Sequence, residues 1–164
     1  MIELYLYFGR AIVIAAPAGL VIWLFANLGI NGQSLLNIIA NFLEPFAGLL
    51  GLDGYILTAF ILGMPANEIV LPIILMCYMS SGMLVDISDS VTLKNILVSN
   101  GWDTVTAVSM LIFTIFHFPC STTCLTIKKE TGSIKYTLAA IAVPTIVGCV
   151  LCFVISYISN MICG

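Results

Sequence analysis

Apolar residues run almost unbroken from Ala11 to Leu28, and again over 54–79, 104–127 and 136–158. A helix rises about 1.5 Å per residue, so each run can cross a hydrocarbon layer of about 30 Å. Two of the runs are interrupted. "GMPANE" (63–68) divides the second and Pro119 the third, while Pro144 lies inside the fourth. Gly63 is suited to end one half-helix and Pro65 to open the next at its first position, and Pro72 is expected to free the carbonyl of Glu68. Half-helices of roughly ten residues, each about 15 Å long, would meet near the bilayer midplane. Exposed backbone is tolerated there only where protein or water covers it.

The polar positions fill in the rest. In "SLLNIIANFLEPF" (34–46), Asn37, Asn41 and Glu44 share one helical face and Ser34 is placed to cap. That segment is too short of apolar residues to span. It predicts a helix lying in the membrane surface or packed on another part of the protein. Residues 81–103 read as a polar loop with Asp86, Asp89, Lys94, Asp103 and an Asn100-Gly101 turn, and "KKETGSIK" (128–135) as a short charged turn. The expected fold is a single all-α integral membrane domain over 1–164, with three to four membrane-embedded helices. It has spans at 11–28, 54–79 (broken or re-entrant), 104–127 (Pro-interrupted) and 136–158, plus a short interfacial amphipathic helix at 34–46.

Composition agrees with that pattern. The chain is 61% hydrophobic and 8% charged, against about 25% charged in an ordinary soluble domain. Five basic residues and a net charge of −3 cannot neutralise a phosphate track, which argues against a nucleic-acid partner. Glu3 ahead of the first run, with no clear cleavage site, reads as a retained first span rather than a signal peptide. The six cysteines sit in or beside apolar runs, where packing is their ordinary role. Lys128, Lys129 and Lys135 put the 128–135 turn in the cytoplasm. If 54–79 is a re-entrant hairpin Arg10 is cytoplasmic too, and if it crosses fully Arg10 is external; the hairpin gives the larger excess of inside charge.

Ionisable side chains within a span point to function, and this chain places them at its two breaks. Glu68 opens a half-helix, where the dipole favours a carboxylate; the alternative is a local structural role. His117, Cys120 and Cys124 would share roughly one face of a continuous helix. Imidazole and thiolate suit Fe²⁺, Zn²⁺ or Cu⁺ rather than Mg²⁺ or Ca²⁺. The alternatives are a hydrogen-bonded core histidine and packed thiols. No nucleophile–base–acid set, phosphate-binding glycine loop or dinucleotide fingerprint supports an enzyme.

"LGMPANEIV", followed about fifty residues on by "FHFPCSTTCLTIKKETGS", resembles the second Gate region of the ferrous iron transport protein B family. The resemblance extends over essentially the whole chain. Gly63, Ala66 and Glu68 match the first motif, with Asn67 where the family usually has lysine. Pro119, Cys120, Thr123, Ile127, Lys128, Lys129, Glu130, Gly132 and Ser133 match the second, and Cys120 corresponds to the family's proposed pore thiol. His117 and Cys124 are not general family features, so their place in a metal site is an inference from residue type.

The resemblance implies a multi-pass protein of the bacterial or archaeal cytoplasmic membrane that carries Fe²⁺ as its transported substrate. Its metal-contacting candidates are Cys120, Glu68, His117 and Cys124. GTP would act only through a domain outside these residues. The expected partners are the lipid bilayer, Fe²⁺, the N-terminal GTPase with the first Gate half (in the same protein or as a separate subunit), and further copies of this chain. Two other readings stay open: a nucleoside-type secondary transporter, for which Asn67, Glu68, Ser121, Thr122 and Thr123 supply polar groups, and a Gate-domain membrane assembly protein without transport.

Overall fold

The computed structural model describes residues 16–17, 19–30 and 33–163. Glu3, Arg10 and the start of the first apolar run lie outside the described residues. A first helix, α1 (19–27), leads into a short antiparallel ribbon in which β1 (Gly29–Ile30) pairs with β2 (Gln33–Ser34). Then follow α2 (Leu35–Leu49), α3 (Gly54–Leu62), a 3₁₀ turn (Asn67–Ile69), α4 (Val70–Met79), α5 (Ser90–Ser99), α6 (Thr104–Phe116), α7 (Ser121–Thr131) and α8 (Ile134–Cys163). The chain is all-α apart from that ribbon among the described residues. Among the described residues, two stretches are long and apolar enough to cross a membrane, Thr104–Thr131 and Ile134–Met161, and a third if the bent pair α2–α3 counts as one.

Helix α2 starts where its sequence signal placed it. Ser34 accepts a hydrogen bond from the Asn37 amide at 3.3 Å. The helix continues through Pro45 to Leu49, beyond the expected end at 46. Its Leu36, Ala40 and Ala47 are buried, and Glu44 accepts from the Gly54 amide at 2.7 Å. So α2 is a packed helix, tied to α3 across a bend of 110°. The contact is so close that a methyl group on Gly54 would lie 2.0 Å from the Ala40 carbonyl oxygen. Only glycine fits there.

Helices α3 and α4 form a hairpin. Asp53 caps α3 by accepting from the Ile56 amide at 2.6 Å. The same carboxylate accepts from the hydroxyl of Tyr78 at the far end of α4, and Tyr55 and Tyr78 meet edge to face at 5.7 Å. The start of α3 and the end of α4 are therefore neighbours, and the segment doubles back. Gly63 makes the turn possible: a Cβ there would lie 2.5 Å from Val70 Cγ2 and 2.8 Å from the Ala59 carbonyl.

The local signals act differently from expectation at the two prolines. Pro65 lies within the turn, and α4 opens only at Val70, after the 3₁₀ segment. Pro72 sits in the first turn of α4, where a backbone N–H has no partner within its own helix to lose. It therefore does not break an established helix or free the Glu68 carbonyl in the interior of one.

This hairpin is the centre of the molecule. Every residue from Ile56 to Phe60 and from Ile73 to Cys77 is buried, as expected of a helix that is apolar all round. Phe113 of α6 reaches it edge to face on Phe60 at 4.8 Å. Helix α8 returns along α6 and α7, with Gly148 where a Cβ would meet Phe116 Cβ at 2.9 Å. Cys152 donates to the Ser109 carbonyl at 3.3 Å. The other faces of these helices are open: Leu111, Ile115, Ile146 and Val150 are exposed, as suits helices surrounded by lipid.

The connections are capped in detail. Asp89 and Asp103 start α5 and α6 by accepting from the Thr92 and Thr106 amides at 2.9 and 2.7 Å. Helix α5 itself lies inside the stretch expected as a loop. Gly132 ends α7 at φ +64°, a left-handed conformation that glycine adopts without penalty. Lys128 and Lys129 occupy the last turn, where they favour the helix dipole.

Gly54→Ala is expected to lower the thermal stability of the purified protein in detergent by at least about 1–3 kcal/mol, the cost of forced overpacking. Gly48→Ala, with nothing within 4 Å of the new methyl, should instead be neutral or gain up to about 1 kcal/mol. Hydrogen bonds from Thr92 and Thr106 hold the Asp89 and Asp103 carboxyls below the usual value of 3.8. Their stabilisation is full above that value and is lost as pH falls through the lower folded-state values. In melts between about pH 6 and pH 3, the Asp89→Asn/Asp103→Asn protein should lose stability less steeply than the parent.

Candidate functional site

The second break is real and lies where Pro119 requires it. Helix α6 ends at Phe116, residues 117–120 are non-helical, and α7 begins at Ser121. Proline lacks an N–H and pushes the preceding residue, Phe118, out of helical conformation. His117, Cys120 and Cys124 therefore do not share one continuous helical face. His117 closes α6, Cys120 is the capping residue of α7, and Cys124 lies one turn inside α7.

The two breaks meet. The Ser121 amide donates to the carbonyl oxygen of Met64 at 2.9 Å, and the Ser121 hydroxyl approaches the same oxygen at 3.2 Å. Met64 belongs to the "GMPANE" turn, so the unwound part of the hairpin is bonded to the unwound part of the α6–α7 segment. Neither side chain carries a charge, and the acceptor is backbone. A search for ionisable residues has no means of finding such a contact.

Around the junction, Cys120 Sγ lies 3.0 Å from Thr122 Oγ1 and 3.1 Å from Thr123 Oγ1. One sulfur and two hydroxyls thus converge in the first turn of α7. Cys124 turns its thiol toward the Pro119 carbonyl at 3.5 Å, within the break. Glu68 is exposed in the 3₁₀ turn, four residues past Met64.

His117 is 9% exposed and packs against Phe60 at 5.0 Å and Phe118 at 5.3 Å. Its Nδ1 lies 2.8 Å from the Thr114 carbonyl. A carbonyl only accepts, so Nδ1 is the donor in that contact. The Nε2 of the ring is buried and has no hydrogen-bond partner among the described residues.

The four ionisable candidates do not form one cage: no group of three His, Cys, Asp or Glu side chains that could hold a metal ion occurs among the described residues. What the fold brings together is the pair of breaks, with Cys120 and its hydroxyls at their junction. A separate polar cavity of about 430 Å³ lies between the end of α1, the start of α2 and the end of α4. Asn27, Asn37, Ser34, Ser80 and Ser81 line it over an apolar side that includes Met76.

A family model described as "Gate: Nucleoside recognition" matches residues 8–134. The proteins called Fe(2+) transporter FeoB from Staphylococcus aureus strains COL, N315 and MSSA476 are each 28% identical to this chain over 148 residues, 86% of its length. The chain spans about a fifth of those relatives, 21% of their length. No solved structure matches it. Both similarities agree with the resemblance carried by "LGMPANEIV" and "FHFPCSTTCLTIKKETGS". With more than half its residues matched by that model, the chain belongs to the Gate family.

Proposed function

We propose that this chain is a membrane part of a ferrous iron transporter, and that the junction of its two breaks lines part of the Fe²⁺ path. The observation that carries the reading is the double hydrogen bond from Ser121 to the Met64 carbonyl. It sets Cys120, the residue before Ser121, beside the unwound hairpin. Similarity to the S. aureus Fe(2+) transporters over 86% of the chain supports iron as the cargo.

Cys120 is the leading ligand, Glu68 and His117 come next, and Cys124 last. Thiolate, imidazole and carboxylate suit a borderline cation such as Fe²⁺ better than Mg²⁺ or Ca²⁺. Donors spread along a path hold an ion less tightly than a closed cage, and a conducting site has to release what it binds. The hydroxyls of Thr122 and Thr123 add oxygen donors next to the sulfur. Gating energy comes from a nucleotide-binding domain outside this chain, and the lipid bilayer surrounds the exposed faces of α6, α7 and α8.

A second reading, a nucleoside site, draws on the family description and on the cavity lined by Asn27, Asn37 and three serines. Carboxamides and hydroxyls without a charged side chain suit a neutral solute.

Anaerobic equilibrium dialysis of the purified chain in detergent distinguishes the two. Fe²⁺ should bind, and Cys120→Ser should weaken it by about tenfold or more, the order of effect seen when metal-site groups are lost. Unchanged Fe²⁺ affinity in Cys120→Ser removes the thiol from the path. Saturable uridine binding with no Fe²⁺ binding favours the second reading over the first.

A further inference from the structure

A groove of about 510 Å³ runs between α5 and the start of α6, away from both breaks. Leu93, Leu97 and Ala107 give it an apolar lining, and Trp102, Lys94 and Asp103 also border it. Its position defines its surroundings. Thr104 opens the stretch that is long and apolar enough to cross the membrane, so the groove lies where the chain enters the bilayer. Further along α6, Val108 and Leu111 are 38% and 66% exposed, which continues the apolar surface into the lipid-facing side. Lys128, Lys129 and Lys135 all lie at the opposite end of α6–α7, leaving Lys94 as the cation at this end among the described residues.

We propose that this groove holds one phospholipid, with an acyl chain along Leu93, Leu97 and Ala107 and its phosphate beside Lys94. A lysine at the bilayer surface attracts lipid phosphate, and its methylene stem can lie along apolar surface while the ammonium stays with the headgroups. The headgroup is selected by Asp103. That carboxylate stays ionised because the Thr106 amide donates to it. A net-negative headgroup is repelled there, whereas a zwitterionic one can set its ammonium beside Asp103 and its phosphate beside Lys94. The occupant is therefore a phosphatidylethanolamine-type lipid. Trp102 reports on it, because its indole N–H is engaged with the Tyr78 hydroxyl at 2.7 Å, which holds the ring in place at the groove.

The test uses the whole chain in detergent with Trp23→Phe, so that Trp102 is the remaining tryptophan of the two. Brominated dioleoyl phosphatidylethanolamine, phosphatidylglycerol and dioleoylglycerol are titrated separately while Trp102 fluorescence is followed. Saturable quenching is expected, tightest for phosphatidylethanolamine and weakest for dioleoylglycerol. Lys94→Gln should weaken the phospholipids by roughly fivefold, one lysine's share of headgroup attraction, without changing dioleoylglycerol. Ala107→Phe, which fills the groove, should abolish saturation while circular dichroism and elution volume stay unchanged. Linear, non-saturating quenching overturns the proposal. So does equal affinity for the three lipids, tighter binding of phosphatidylglycerol, or indifference to both Lys94→Gln and Ala107→Phe.

Discussion

The turn of the α3–α4 hairpin leaves the carbonyl of Met64 outside any helix, and Ser121 takes it up with both its amide and its hydroxyl. A polar group left without a partner away from water costs about 1–3 kcal/mol, and this pair of hydrogen bonds removes that cost. Two interruptions that would each be unfavourable alone are thereby made compatible. The turn needs the close approach that Gly63 permits. The α6–α7 break needs Pro119 to keep the chain non-helical up to Cys120. Once joined, they fix where the thiol of Cys120 sits relative to the hairpin.

The remainder of the fold holds that junction in place. The middle of the α3–α4 hairpin, Ile56 to Phe60 and Ile73 to Cys77, is buried. The hairpin's outer end is fastened by the chain of hydrogen bonds from Trp102 through Tyr78 to Asp53. Gly54 lets α2 press against its start, and Gly148 lets α8 press against the end of α6 next to the break. In a membrane, where apolar burial gives little preference for protein over lipid, close backbone approach at small residues is a principal means of holding helices together.

Much of this fold is legible in the residue pattern. Helices occupy the apolar runs over 54–79, 104–127 and 136–158, and the breaks fall at "GMPANE" and Pro119, because the underlying rules are local: period, length and the missing N–H of proline. Ser34 was readable as a cap for the same reason. Asp89 and Asp103 each precede an apolar or mixed run in the manner of a capping residue, but within the polar stretch 81–103 they are indistinguishable from loop charge, and α5 is hidden with them. Pro65 and Pro72 do not take the roles their local signals suggest, because a 3₁₀ turn intervenes and sequence gives no sign of it. The partner of Met64 lay beyond reach. A backbone acceptor bonded to a residue 57 positions away leaves no trace in residue type. His117, Cys120 and Cys124 do not share a face because Pro119, which lies among them, also ends the helix that would align them.

Chemically, the junction offers one sulfur, two hydroxyls and unwound backbone, with the buried His117 ring nearby in sequence and a carboxylate on the adjoining turn. The arrangement depends on the two breaks staying together in the native protein. The most direct measurement replaces Met64 and Ser121 by cysteine in a protein whose Cys120 and Cys124 are serine. The pair is oxidised in native membranes with copper phenanthroline, and the intramolecular disulfide is counted by mass spectrometry. Rapid, near-complete crosslinking is the result this account predicts, since the backbone bond from residue 121 survives the substitution. Absence of the crosslink, with both thiols still open to maleimide, would contradict it.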